Sequence, residues 1–180
     1  FCNDIIKNYP GEIPRIIGSQ NITEVDQINI LEEAINNLSL KELKPFGDVL
    51  YYIRPILSAI NDLKREGRNT TKFEKIVEQE LTAFNAIDDL YHEKGVYKGK
   101  MKGDYQKLQK QILKNRELAG LYAGYQEALR SRRLYDYSDM IMEVMLVLES
   151  NNDLLLTLQE QYLYILADEH QDTNSAQNRI

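Results

Sequence analysis

The chain has 180 residues, of which 43% are hydrophobic and 28% charged, and its formal net charge is −6. That balance fits a folded protein with a sizeable core and excludes disorder. No apolar run approaches the roughly 20 residues that a membrane-spanning helix needs. The single cysteine, Cys2, excludes an internal disulfide and a zinc cluster, and two histidines, His92 and His170, are too few for a histidine-rich metal site. With no basic, apolar, cleavable leader, the cytoplasm is the expected compartment. Autonomous nucleic-acid binders are usually basic, so the acidic balance implies that this chain alone binds DNA weakly. The chain begins at Phe1 and stops at Ile180, and both ends read as cuts within a longer protein.

Most of the sequence reads as helix. Phe1, Ile5 and Ile6 form a short apolar face that stops before Pro10-Gly11, and residues 13–21, with Pro14 and Gly18, read as a connector. Thr23 with Asp26 three residues on predicts a capping box, opening a helix with Val25, Ile28, Leu31 and Ile35 on one face. A third helix carries Val49, Leu50, Ile53, Ile56, Leu57, Ile60 and Leu63; Pro55 should kink it or mark a new start, because proline lacks the N–H and crowds the preceding turn. Gly67 to Asn69 form a break. Thr71-Lys72-Phe73-Glu74 predicts a second capping box, opening a long helix with Phe73, Ile76, Val77, Leu81, Phe84, Ile87 and Tyr91 along one stripe.

Gly95 to Gly103 is a Gly/Lys-rich loop, read first as mobile and solvated. Another long helix comes next, with Leu108, Ile112, Leu118, Tyr122, Tyr125 and Leu129 on its apolar stripe; Tyr91, Tyr122 and Tyr125 are expected in the core. After Arg130, Arg132 and Arg133, which suit a helix C-terminus, a helix carries Met140, Ile141, Val144, Met145 and Leu148, and a short one spans 154–161. The pattern then changes. Tyr162 to Ala167 is a continuous apolar run bounded by acids, which predicts a buried parallel strand. A lone strand cannot satisfy its own backbone groups, and the preceding residues offer it no partner. The residues therefore predict a mainly α fold with one C-terminal β-strand from an incomplete sheet.

Asp168-Glu169 closes that run. Ligands of open α/β sheets sit at the carboxyl ends of parallel strands, where one carboxylate can hold Mg²⁺ and a second can orient water. Taken alone, the pair reads more readily as a solvated acidic turn. The longer string Asp168-Glu169-His170-Gln171-Asp172-Thr173-Asn174 resembles the D-E-[YF]-Q-D-T-N motif of UvrD/Rep-type superfamily 1 helicases, with His170 in the aromatic position. Upstream, Asp136-Tyr137-Ser138-Asp139-Met140 is similar to the family's D-F-D-D-L segment, with Ser138 in place of the first of the paired acids. Phe1-Cys2 resembles the tail of the family's T-F-H-S-F/M-C motif.

The resemblance implies residues 1–10 as the end of a RecA-like domain 1A segment, 11–150 as the helical insert called subdomain 1B, and 151–180 as the return to domain 1A. It implies ATP and Mg²⁺ as cofactors and DNA, single-stranded and at the duplex junction, as partner of a full-length protein. By the same resemblance Asp168 binds Mg²⁺, Glu169 is the base or water-orienting group, and Gln171 senses the γ-phosphate. Asp172 and Thr173 support that network and the link to DNA. A helicase–nuclease of the AddA type shares the motif, and a non-enzymatic helical interaction module is the third reading. The family's phosphate loop is expected before Phe1. Gly95 to Met101 cannot supply it: three residues separate Gly95 from Gly99, where four are needed, and Met101 has no hydroxyl. Lys94, Lys98, Lys100 and Lys102, with Tyr97 and Tyr105, offer a different chemistry, contact with phosphates and bases.

Overall fold

A computed structural model describes residues 1–43 and 50–180 of the chain, and the side chain of Leu50 is not described. Val49 and the Leu50 side chain, read as the start of the third helix's apolar face, thus lie outside the described residues. The described part is mainly helical, as expected: α1 (Cys2–Asn8), α2 (Glu24–Asn37), α3 (Leu50–Arg65), α4 (Thr70–Asn85), α5 (Gly103–Ser131), α6 (Tyr137–Ser150) and α7 (Asn152–Gln161).

The capping box at Thr23 is formed in both directions. The Asp26 amide donates to the Thr23 hydroxyl at 3.2 Å, and the Thr23 amide donates to the Asp26 carboxylate at 3.2 Å. The buried face of α2 is Ile30, Leu31, Ala34 and Ile35, while Val25 is exposed in the first turn. α3 runs through Pro55. The carbonyl that Pro55 leaves without an amide partner belongs to Tyr51, an exposed residue, so water can satisfy it. α4 starts before the expected box at Thr71: Asn69 is its N-cap, its side-chain oxygen accepting from the Lys72 amide at 2.8 Å. Thr71 is already inside the first turn and cannot serve. The stripe of α4 stops at Asn85, and Tyr91 is half exposed beyond it, bridged to Met101. Expecting Tyr91 in the core carried the helical period past the helix's end.

The main core lies between α2, α3, α4 and α5. Leu31 and Ile35 of α2 meet Ile53, Ile56 and Ile60 of α3, Phe73 and Val77 of α4, and Leu121, Tyr122, Tyr125 and Leu129 of α5. A second cluster joins both ends of the chain: Ile5, Ile13 and Ile16 pack with Val144 and Leu148 of α6 and Leu154 and Leu158 of α7. The rings of Phe1 and Tyr162 meet edge to face at 5.3 Å. A small satellite core, Phe84, Leu90 and Ile112, closes the far end of the α4–α5 pair.

Two features have no counterpart in the sequence pattern. β1 (Gln20–Asn21) pairs in parallel with β2 (Leu134–Tyr135), which pins the connector to the α5–α6 junction. The Glu117 carboxylate on α5 accepts from the backbone amides of Lys41, Glu42 and Leu43, at 2.7 to 3.1 Å, and so fixes the chain beyond α2.

The expected C-terminal strand does not form. Residues 162–167 are irregular, with a bend at Leu163, and have no backbone partner, and Leu163, Tyr164, Ile165 and Leu166 are exposed by 77, 90, 65 and 97%. The reason is the one the sequence already contains: a strand needs a neighbour for its N–H and C=O groups, and the described residues supply none.

Gly67, between α3 and α4, has φ +67°, and a Cβ there would lie 2.6 Å from the Arg179 guanidinium and 3.3 Å from the Met145 sulfur. Gly67→Ala is expected to lower stability by about 1–2 kcal/mol, the usual range for a side chain in left-handed backbone. Urea unfolding checks this; an unchanged midpoint contradicts it.

Candidate functional site

The acidic motif lies on the surface, directly after the irregular segment 162–167. Asp168, Glu169, His170, Gln171 and Asp172 are exposed, and Thr173 is half-buried. Glu169 takes a left-handed conformation, φ 50° and ψ 42°, and starts a single 3₁₀ turn, His170–Asp172. That turn closes through the Asp172 amide, which donates to the Glu169 carbonyl at 2.8 Å. The Gln171 side-chain amide donates to the Glu169 carboxylate, so these two residues are in contact. Asp168 accepts from the Glu169 amide at 3.0 Å.

Beyond the motif the chain is anchored. The Ala176 amide donates to the Arg65 carbonyl at 2.8 Å, and the Ser175 hydroxyl donates to the Glu66 carboxylate at 2.8 Å, both at the end of α3. Ala176 is buried among Met140, Ile141, Met142 and Met145, and Arg179 pairs with Glu149. Asn174 and Gln177 exchange side-chain and backbone hydrogen bonds at 3.0 Å, capping the last 3₁₀ turn. Between this tail and α3 runs an open groove of about 630 Å³, lined by Asp62, Arg65, Glu66, Gln171, Asp172, Thr173 and Asn174. The structure therefore brings Gln171, Asp172 and Thr173 to one groove and leaves Asp168 and Glu169 on the turn beside it.

Among the described residues no three His, Cys, Asp or Glu side chains converge to hold a metal. Asp168 and Glu169 are exposed carboxylates with no cationic partner among the described residues. Mg²⁺ is held by one or two carboxylates, with waters and phosphate oxygens completing an octahedron, so the donor set fits that ion in company with a phosphorylated ligand.

Behind the groove lies a buried ionic network that sequence reasoning missed. The Lys64 ammonium on α3 is fully buried, 2.5 Å from Asp136 and 2.7 Å from Asp139. Those two acids cap α6 reciprocally: the Asp139 amide donates to Asp136 at 2.8 Å and the Asp136 amide donates to Asp139 at 3.1 Å. The Tyr125 hydroxyl donates to Asp136 at 3.2 Å, and the Gln126 amide donates to Asp139 at 2.9 Å. Arg15, from the connector, lies 3.6 Å from Asp139 and pairs with Glu143 and Gln126.

Burial alone would raise the Asp139 pKa, but Lys64 and Arg15 outweigh it and hold that carboxyl below its usual range. Burial, with the nearby Asp136 and Asp139 charges, pushes the hydroxyls of Tyr125 and Tyr122 far up, so both stay protonated donors. Ser138 stands outside this network. Its signal was present in the sequence: Ile53, Ile56, Leu57 and Ile60 lead at helical spacing to Lys64, a charge at a core position. The Cys2 thiol is pushed up by burial, consistent with a packing residue.

The chain is thus a mainly helical body with an acidic motif on its surface and a buried acid pair capping α6. The model of the UvrD/REP helicase N-terminal domain matches residues 1–180, and the chain belongs to that family. Shorter stretches align with curated relatives. A probable DNA helicase of Mycoplasma pneumoniae is 45% identical over 56 residues, covering 31% of this chain and 11% of that protein. An ATP-dependent DNA helicase PcrA of Leuconostoc citreum is 38% identical over 63 residues, 35% of this chain and 8% of the relative. An ATP-dependent helicase/nuclease chain of Exiguobacterium sibiricum is 41% identical over 61 residues, 32% and 5% respectively. The aligned stretches thus cover about a tenth or less of each relative. Among the described residues no helix is long and apolar enough to cross a membrane.

Proposed function

We propose that this chain is part of an ATP-dependent DNA helicase that couples ATP hydrolysis to translocation on single-stranded DNA and unwinding of the duplex. The observation that carries the reading is the polar string Asp168 to Asn174 at the end of a continuous apolar run, in a chain of the helicase N-terminal family. Packing demands no such string. Four large side chains before it, Leu163 to Leu166, are in water. Burial of each is worth about 1.5–3 kcal/mol, so they favour a state in which neighbouring strands pair this segment and layers packed on both faces of the sheet cover its side chains. In that state Asp168 and Glu169 stand at a strand's carboxyl end.

Bound Mg²⁺-ATP supplies the phosphoryl group and neutralises its charge. Asp168 is the residue that holds the metal, with Glu169 adjacent. Glu169 orients and deprotonates the attacking water. Gln171, already hydrogen-bonded to Glu169, links that carboxylate to the groove wall formed with Asp172 and Thr173. A change at the nucleotide thereby reaches the tail anchored on Arg65 and Glu66 of α3. Residues 1–10 and 151–180 are assigned to the nucleotide-binding core and 11–150 to the helical insert; Ile5, Leu154 and Leu158 of the former share one cluster with Ile13, Ile16, Val144 and Leu148 of the latter. The name of the helicase/nuclease relative favours one second reading, the ATPase part of a helicase–nuclease. A nuclease domain encoded downstream distinguishes the two.

The 180-residue chain alone is expected to show no ATP turnover with Mg²⁺ and DNA, because it has no Gly-x-x-x-x-Gly-Lys-[Ser/Thr] loop to cradle the phosphates. A phosphate-release assay measures this, and robust turnover overturns the assignment.

A further inference from the structure

Lys64 ends the buried face of α3, at helical spacing from Ile53, Ile56, Leu57 and Ile60. Another aliphatic side chain would satisfy packing there. Replacing a buried ion pair with apolar groups of similar size is often neutral or favourable, so stability gives no reason for a cation at this position. Its geometry does. The ammonium holds both carboxylates that cap α6, Asp136 and Asp139, and lies 5.2 Å from the centroid of the Tyr125 ring on α5. Charge-assisted hydrogen bonds fix direction as well as distance, which apolar contact does not. The last turn of α3 is thereby held in one place against the first turn of α6.

Residues 175–180, which follow the acidic motif, dock in the seam between those two turns. On the α3 side, the neighbours of Lys64 receive them: the Ala176 amide donates to the Arg65 carbonyl and the Ser175 hydroxyl to the Glu66 carboxylate, both at 2.8 Å. On the α6 side, Ala176 is buried with Met140, Ile141 and Met142, the residues directly after Asp139. Arg179 lies against Gly67 and pairs with Glu149. The motif is tied to this tail. Thr173 Oγ1 is 2.6 Å from the Asn178 side-chain oxygen, and the Asn178 amide donates to the Asn174 carbonyl at 3.0 Å. Gln171, Asp172 and Thr173 line one groove with Arg65 and Glu66, and Gln171 in turn contacts Glu169.

We infer that Lys64 is a positioning residue for the proposed nucleotide site: by bridging Asp136 and Asp139 it sets the seam in which residues 175–180 dock, and through that seat the placement of Gln171 and Thr173. The inference rests on the reading of Asp168 and Glu169 as metal and water sites. Lys64 is buried while Arg65 and Glu66 face the groove, so it acts through the seat and not on the nucleotide. The seat does not hold Asp168 or a phosphate loop, the groups that bind Mg²⁺-ATP in that reading. Its loss therefore falls on the hydrolytic step and not on nucleotide affinity.

The test uses a protein that contains this chain and its phosphate loop. At a temperature where circular dichroism shows the variant folded, Lys64→Met should lower kcat for ATP by roughly 10–100-fold, with KM changed by less than about twofold. Amide hydrogen exchange gives a readout independent of nucleotide: protection at Ala176 should fall while the amides of α4 and α5 keep theirs. Leu31→Ala, on the buried face of α2, is the control for lost stability; it should lower Tm with neither the kcat loss nor the selective exposure of Ala176. A third variant, Lys64→Met with Asp136→Asn and Asp139→Asn, removes all three charges and keeps side-chain oxygens to cap α6. It should regain Tm while kcat stays low. Recovery of kcat together with Tm in that variant, equal kcat losses in Lys64→Met and Leu31→Ala, or unchanged protection at Ala176 overturns the inference. A low kcat in Glu169→Gln beside a normal one in Lys64→Met overturns this inference alone, whereas full hydrolysis by Glu169→Gln overturns the nucleotide site and this inference with it.

Discussion

Lys64→Met is expected to destabilise the chain by about 3–5 kcal/mol, the usual result of removing one partner from a buried ion pair. The substitution keeps the side chain's length and apolar stem, so packing against Tyr125 survives and the effect isolates the charge. Asp136 and Asp139, both buried, lose their shared cation, and Arg15 at 3.6 Å is the cation left beside Asp139. Against a typical total of about 5–15 kcal/mol, that loss is large, and for a chain of this length it lowers Tm by roughly 6–20 °C. The pH dependence provides a second readout. A carboxyl with a depressed folded-state pKa contributes stability that is complete above its unfolded value, about 3.9 for aspartate, and that is lost as pH falls through the folded value. Asp139 is such a group, held down by Lys64 and Arg15 against the opposing effect of burial. The parent chain should therefore lose stability below about pH 4, and Lys64→Met should flatten that acid limb. Urea midpoints measured between acid and neutral pH decide it; a loss under about 1 kcal/mol at neutral pH would mean that the network contributes little, against the expectation for buried pairs.

The second large effect concerns chemistry. In a protein that contains this chain and its phosphate loop, Glu169→Gln should lower ATP hydrolysis by about 10²–10⁴-fold, the usual worth of a positioned general base. Asp168→Asn should abolish Mg²⁺-dependent hydrolysis. Neither should disturb folding, because both side chains are exposed and neither makes an ion pair among the described residues. Full activity in both variants would favour a helical interaction module whose acidic end has no catalytic part. The AddA-type alternative predicts the same loss of hydrolysis and differs only in an added nuclease activity.

Helices were legible because their signals are local. Thr23 and Asp26 cap α2 as expected, and Leu118, Tyr122, Tyr125 and Leu129 keep the helical period into the core. Errors arose where a local signal had a close rival. Thr71 and Asn69 both suit an N-cap, and only the position of the Lys72 amide chooses Asn69. Tyr91 continues the period of α4, yet the chain turns after Asn85. The Gly/Lys-rich loop showed in composition as Gly95 to Gly103, but which of Tyr97 and Tyr105 is free depended on the satellite core.

By itself the sequence determined the helical class, the polar string from Asp168 to Asn174 and the family it resembles, since periodicity, caps and motifs are written in neighbouring residues. Tertiary structure alone decided that Lys64, Arg15, Asp136 and Asp139 form one buried network, and that Gln171, Asp172 and Thr173 share a groove with α3. It also decided that Tyr162 to Ala167 stays unpaired among these residues. Lys64 and Asp136 are 72 positions apart and Arg15 and Glu143 are 128 apart, and contacts at such separations leave no periodic trace. A strand, likewise, exists only when another backbone meets its hydrogen-bonding groups.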